Sequence, residues 1–117
     1  MAGSILRDKS KEFAKQIVFL CRDIKANMKE SVLTNQLLRS GTSIGANIHE
    51  ANYASSKADF VAKMQITLKE CHETEYWLKL LVKSEYLSGT EGASLINDCL
   101  EIKRILIASI KTAKENK

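Results

Sequence analysis

Hydrophobic residues recur every three or four positions along the chain, which is the spacing that keeps side chains on one face of an α-helix. Four such stretches predict helices over residues 5–28, 30–54, 57–87 and 91–113. The positions that define the four apolar faces are Phe13, Ile17, Leu20, Ile24 and Met28; Leu33, Leu37, Ile44 and Ile48; Phe60, Met64, Leu68, Cys71, Leu78 and Val82; and Leu95, Cys99, Ile102 and Leu106. The chain contains no proline, so no residue of that type interrupts the predicted helices.

The connections between the predicted helices are short, which favours antiparallel neighbours. Ser56 and Asp59 have the spacing of a capping box at the start of the third helix, with aspartate where glutamate is more common. Glycines in the segment from Ser88 to Gly92 separate the third helix from the fourth. A chain of 117 residues, 44% of them hydrophobic, can bury one core. We therefore predict a single all-α domain over residues 1–117, folded as an antiparallel up-down-up-down four-helix bundle.

The apolar stretches are too short to cross a membrane, because a transmembrane helix needs about 20 consecutive apolar residues. The first residues include charged side chains where a secretion signal would be apolar. Cys21, Cys71 and Cys99 occupy apolar positions and form no Cys-x-x-Cys pair, so we expect reduced thiols that fill the core. These features predict a cytoplasmic protein with no membrane partner.

Basic residues are concentrated on one side of the first predicted helix. Residues 1–30 contain seven basic and four acidic residues, a net charge of +3 out of +4 for the whole chain. At about 100° per residue, six of the basic side chains project away from the apolar face. This basic stripe consists of Arg7, Lys11, Lys15, Arg22, Lys25 and Lys29. It fits sequence-independent binding to the phosphates of RNA or DNA. An ordinary solvated helix face and, more weakly, a membrane-binding surface are the alternatives.

The second and third predicted helices have polar side chains that need partners. Glu75 falls within an apolar face, and burying an unpaired carboxylate costs several kcal/mol. We expect Arg39 to pair with a glutamate of the third helix, Glu70 first and then Glu73 or Glu75, and its removal from a buried pair to cost about 3–5 kcal/mol. The residues assigned to a structural polar network or a subunit interface are Arg39, Ser43, Asn47, Glu50, Glu70, Glu73, Glu75 and Trp77.

Small residues are frequent in the second helix, where Gly41 and Gly45 each cost about 1 kcal/mol relative to alanine. Close packing inside the bundle or a subunit interface could offset that cost. A phosphate-binding loop does not fit, because no lysine follows the second glycine.

Catalytic and metal-binding patterns are not found in the sequence. His49 and His72 are the only histidines, and the residues three positions before them are Ala46 and Lys69, whereas a di-iron bundle requires glutamate there. There is no Gly-x-Ser-x-Gly nucleophile motif. We therefore predict a protein that is not an enzyme and has no catalytic residues, metal or cofactor.

Two segments together resemble a known family. Residues 38–51 read LRSGTSIGANIHEA, and residues 73–78 of the third helix read ETEYWL. They resemble the four-helix-bundle family of the 23S rRNA intervening sequence protein. The resemblance implies a ring-like homopentamer. It also implies kinship with the accessory protein of diversity-generating retroelements, a basic pentameric bundle that binds nucleic acid and a reverse transcriptase.

Two functions follow as hypotheses. The first is a homo-oligomeric bundle that binds nucleic acid or acts as a scaffold, which the resemblance and the basic stripe support. The second is an adaptor that docks a protein partner through Tyr76, Trp77 and the small residues of the second helix, with no role in nucleic-acid binding.

Overall fold

Four antiparallel α-helices account for nearly all of the computed structural model, which describes residues 2–116. The helices are α1 (Ala2–Met28), α2 (Val32–Ala51), α3 (Lys57–Lys83) and α4 (Gly89–Glu115). Each helix packs against its two neighbours, in the order α1–α2–α3–α4 and back to α1, and within the described residues no Cα atoms of the diagonal pairs lie within 8 Å of each other. The predicted all-α up-down-up-down bundle is confirmed.

All four helices contribute to one continuous core, as their apolar periodicity predicts. Ile17, Leu37, Ile44, Leu78 and Leu106 are completely buried at its centre. The predicted role of the cysteines is confirmed, because all three are free thiols buried in this core. Burial raises the pKa of the Cys21 thiol to about 11, so the protonated form is maintained near neutral pH.

The connection between α1 and α2 differs from the prediction that the second helix begins at residue 30. Lys29 has a left-handed backbone, with φ of 57°, and interrupts the helical path. The carboxylate of Glu30 then accepts hydrogen bonds from the backbone N–H groups of Leu33 and Thr34, at 2.7 and 3.0 Å. This carboxylate satisfies free donors at the start of α2, which therefore begins at Val32. At its other end, α2 stops at Ala51 rather than at residue 54.

The end of α3 also comes earlier than predicted, at Lys83 and not at residue 87. Glu85 adopts φ of 68°. The N–H of Tyr86 donates to the carbonyl of Leu81 at 2.9 Å, and the N–H of Glu85 donates to Val82 at 3.1 Å. This is the hydrogen-bond pattern of a Schellman motif. Leu87 is buried beyond the helix end, which is why apolar periodicity alone extended the helix too far.

Serine side chains cap the starts of α3 and α4. The hydroxyl of Ser56 accepts from the N–H of Asp59 at 3.0 Å, as the predicted capping box requires. The carboxylate of Asp59 reaches back to the N–H of Ser55 at 3.1 Å, one residue before the position expected in that motif. Ser88 caps α4 by accepting from Glu91 N–H at 3.1 Å, so α4 begins at Gly89, two residues earlier than predicted.

The glycines of α2 allow α1 and α2 to approach closely. A Cβ atom at position 41 would lie 3.0 Å from Cγ2 of Ile17, and one at position 45 would lie 3.5 Å from the backbone oxygen of Ser10. Gly41 and Gly45 therefore face α1, which supports close packing inside the bundle as their role.

Replacement of Glu85 by glycine should stabilise the fold, because glycine adopts a positive φ without the steric cost that a Cβ atom imposes. We expect Glu85→Gly to raise the free energy of unfolding by about 0.5–1 kcal/mol, after the greater backbone entropy of glycine is deducted. Glu85→Ala, which removes the same carboxylate but keeps Cβ, is the matched control and should give no gain. Urea denaturation measures both, and equal stability of the two variants would contradict the explanation.

Candidate nucleic-acid interface and charged helix surfaces

Two basic side chains of α1, Arg22 and Lys25, lie beside α2. Val18, Arg22, Lys25 and Ala26 line a shallow cleft between the two helices, together with Leu38 of α2. We call the helical members of the predicted stripe the basic flank; they are Arg7, Lys11, Lys15, Arg22 and Lys25. All are exposed except Lys25, which is half-buried.

Lys29, the sixth member of the predicted stripe, does not belong to this flank. Its left-handed backbone places it beyond the end of α1. The angular spacing that assigned Lys29 to the stripe applies only while the helix continues, so it does not place Lys29 on this flank.

Some cations of the basic flank already have contacts. Lys15 lies 3.3 Å from the carboxylate of Glu12, and the guanidinium of Arg22 lies 4.9 Å from the ring centre of Phe19. Within residues 2–116, no carboxylate lies within 4.0 Å of the charged groups of Arg7, Lys11 or Lys25. These three cations are therefore available to an anionic ligand.

Arg39 pairs with glutamates of α3 near the middle of the α2–α3 contact. Its guanidinium forms an ion pair with Glu73 and lies 3.6 Å from Glu70. The indole N–H of Trp77 donates to the same Glu73 carboxylate at 3.0 Å. The Trp77 hydrogen bond, followed by the Arg39 contact, lowers the pKa of Glu73. The principal partner is thus Glu73, which was expected to be second to Glu70.

The assumption that this pair is buried was wrong, because the Arg39 side chain is 51% exposed. Water screens an ion pair at such a position, so the stability cost of about 3–5 kcal/mol that applies to buried pairs is too large. The spacing of apolar residues along the second helix does not give the exposure of Arg39.

The other polar residues predicted on α2 do not join the Arg39 cluster. Ser43 donates to the carbonyl of Arg39 at 2.6 Å, and Asn47 donates to the carbonyl of Ser43 at 2.9 Å, so both bonds remain within α2. Glu50 lies 3.7 Å from Lys63 of α3. With the Glu75–Lys103 pair described below, the residues of the predicted set form four separate groups of contacts within one chain.

A buried hydrogen bond between α2 and α3 joins two other hydroxyls. Thr74 Oγ1 donates to Ser40 Oγ at 3.0 Å. The sequence gave no indication of this bond, because threonine at an apolar position is read as an ordinary core residue.

Glu75 lies on the opposite side of α3 and contacts α4. Its carboxylate accepts from Nζ of Lys103 at 2.6 Å, and only 8% of Glu75 is exposed. The alternative that Glu75 pairs with Arg39 was therefore wrong. The prediction that this buried carboxylate needs a partner was correct. Lys103 was not predicted as the partner of Glu75. The sequence signal that could have identified it is its position next to Ile102, which lies in the apolar face of α4.

Within residues 2–116, no group of three or more histidine, cysteine, aspartate or glutamate side chains is placed to hold a metal ion. In the same part of the chain, no helix combines the length and the apolar character that crossing a bilayer requires.

Comparison with known proteins identifies similar sequences and structures. A family model described as 23S rRNA-intervening sequence protein matches residues 4–108. The chain is also similar to a crystal structure from Bacteroides thetaiotaomicron, described as a protein with unknown function from the S23 ribosomal protein family. The two share 50% sequence identity with a TM-score of 0.94, over 95% of this chain and 99% of the other. The comparison with curated proteins gave no match.

Removal of Arg39 should have a modest effect, because its ion pair is exposed to water. We expect Arg39→Ala to lower the free energy of unfolding by about 1 kcal/mol or less. Urea denaturation of Arg39→Ala, Glu73→Gln and the double variant measures the coupling between the two side chains. A loss of about 3 kcal/mol or more for Arg39→Ala would mean that the pair behaves as a buried one.

Removal of the indole donor should raise the pKa of Glu73 towards the ordinary glutamate value of 4.5. Trp77→Phe tests this while keeping an aromatic ring. Because the folded-state pKa is lowered, Glu73 contributes stability above the unfolded-state pKa, and that contribution is lost as the pH falls through the folded-state value. Titration of the Glu73 carboxyl carbon by NMR measures the shift. An unchanged pKa would show that the indole contact has no electrostatic role.

Proposed function

The chain belongs to the 23S rRNA-intervening sequence protein family, and from that premise we propose a non-catalytic, homo-oligomeric bundle that binds nucleic acid or acts as a scaffold. The observation that supports this function is the basic flank of α1. Five cations lie on one side of this helix, and the charged groups of at least three of them have no carboxylate partner within residues 2–116. Flexible cationic side chains on a solvated surface are suited to phosphates, which carry the same charge in every sequence.

The length of the basic flank is compatible with several phosphate contacts. Arg7 and Lys25 are 18 residues apart on one continuous helix, a distance of about 27 Å at 1.5 Å per residue. A DNA duplex has one phosphate charge for about every 1.7 Å of its axis. One helix laid along a groove or backbone therefore passes several phosphates. Binding of this kind is electrostatic and has no sequence preference.

The absence of catalytic function is part of the same proposal. The most buried carboxylate, Glu75, is neutralised by Lys103, and the cysteine thiols are inside the core. The ion pair of Glu75 and the burial of the thiols support structural roles for these groups.

An adaptor that binds a protein partner is the second candidate, and a specific aromatic surface favours it. Tyr76 is 58% exposed on α3, and its ring packs edge-on against Trp77, with centroids 5.0 Å apart. Exposed aromatic residues are enriched at protein interfaces. In that case the basic flank would serve solubility only.

Neutralising the basic flank should weaken nucleic-acid binding and reduce its salt dependence. We expect the Lys11→Gln, Lys15→Gln, Arg22→Gln, Lys25→Gln variant to lose affinity for mixed-sequence DNA and RNA at low salt. Each lost phosphate contact on duplex DNA removes about 0.9 from the log–log salt slope, so four lost contacts flatten it by up to about 3.6. Fluorescence anisotropy over a salt series measures both quantities.

The matched control removes the same charge from another helix. Lys57, Lys69, Lys79 and Lys83 are exposed on α3, and their replacement by glutamine should leave most of the binding intact. If both quadruple variants bind as tightly as the parent, the basic flank is a solvated surface and the adaptor function is favoured.

A further inference from the structure

The side of α1 that faces α4 has the opposite charge to the basic flank. Three adjoining clefts follow the contact between α1 and α4, and most of the charged side chains that line them are acidic. We call this surface the acidic seam; its carboxylates are Glu12, Asp23, Glu91, Asp98 and Glu101. Lys9 is the one cation among the lining residues, and it is paired with Glu101.

The carboxylates of the acidic seam are only partly neutralised. Glu12 and Glu101 have lysine partners. Within residues 2–116, no lysine or arginine nitrogen lies within 4.0 Å of Asp23, Glu91 or Asp98. Burial and the charge of Glu101 raise the pKa of Asp98, against the opposing effect of Lys9. The charge of Asp98 is therefore held at some cost, which an incoming cation would relieve.

Apolar surface is also available along the acidic seam. Phe19 borders the middle cleft and is 46% exposed, and Met28 borders the last cleft and is 48% exposed. Leu20 and Leu95 lie between the two helices. An occupant that combines positive charge with some apolar surface would therefore fit better than a simple cation.

A second copy of the same chain has a surface of this composition. The basic flank carries five cations, and Val18 is exposed among them. It extends from residue 7 to residue 25 of α1, while the acidic seam uses α1 from Lys9 to Met28. The two surfaces thus have opposite charge and similar length, and they adjoin on α1, where Lys15 contacts Glu12 and Arg22 contacts Phe19.

We propose that the basic flank of α1 in one copy docks on the acidic seam between α1 and α4 of the next copy. Such a contact is heterologous, because each copy uses two different surfaces, and it either closes into a ring or continues as a filament. This inference rests on the homo-oligomeric part of the proposed function, for which it names the interface. It does not depend on nucleic-acid binding. Phosphates and the acidic seam compete for the same cations.

Charge reversal on each surface, followed by mixing, tests the interface. The flank variant has Lys11→Glu, Lys15→Glu, Arg22→Glu and Lys25→Glu. The seam variant has Glu12→Lys, Asp23→Lys and Asp98→Lys. Light scattering of the parent should give a mass several times the 13.1 kDa of one chain, whereas each variant alone should be monomeric. Thermal unfolding followed by circular dichroism verifies that each variant folds.

An equimolar mixture of the two variants should assemble again. The reversed flank of one variant meets the reversed seam of the other, and the remaining two surfaces have their original charges. The control reverses Lys57, Lys69, Lys79 and Lys83 to glutamate on α3 and should keep the parent mass.

Several outcomes would overturn the interface. If each folded variant retains the parent mass, or if the folded variants do not assemble on mixing, the interface is wrong but homo-oligomerisation by another surface stands. A monomeric parent overturns both. The seam variant keeps all five cations of the basic flank, so fluorescence anisotropy of this variant measures nucleic-acid binding without the interface, and the two proposals fail by different results.

Discussion

The close approach of α1 to α2 determines how the charged surfaces of this bundle are displayed. Gly41 leaves space for Ile17, and Gly45 leaves space for the backbone at Ser10. These contacts fix the rotation of α1 about its own axis. That rotation places Arg22 and Lys25 beside α2, and Glu12 and Asp23 beside α4.

The contacts between helices differ in how their polar side chains are paired. The α2–α3 contact contains a partly exposed ion pair between Arg39 and Glu73, and the α3–α4 contact encloses Glu75 with Lys103. In both, a basic side chain pairs directly with the carboxylate. The α1–α4 contact has more carboxylates than lysines, so its charge is not balanced within one copy of the chain. The basic flank has the complementary excess, which connects self-association and phosphate binding through one set of cations.

Much of the fold could be predicted from the sequence, because the helical period of apolar residues identifies the core face of each helix directly. The match to residues 4–108 confirms the family resemblance. The helix ends were harder to predict. Lys29 and Glu85 adopt positive φ although neither is glycine, and the side-chain cap from Glu30 depends on geometry that apolar spacing does not contain.

The polar contacts could be predicted only in part, for a related reason. Periodicity places Glu70, Glu73 and Trp77 on a common side of α3, so it limits the partners of Arg39 to a short set. It does not give the exposure of that side, nor the rotation of α3 relative to its neighbours. The need of Glu75 for a partner was therefore predicted correctly, but the residue that supplies it was predicted wrongly. Lys103 supplies the partner from a helix that was not considered.

The buried thiols have a consequence for how motions of this bundle can be observed. Cys21, Cys71 and Cys99 belong to three different helices and are inaccessible in the closed structure. A thiolate is the reactive form of cysteine, and an alkylating reagent can reach these side chains only when helices separate. The rate at which each thiol is modified therefore reports the opening of its own helix. The native chain thus carries three internal probes of local unfolding, with no label to be introduced.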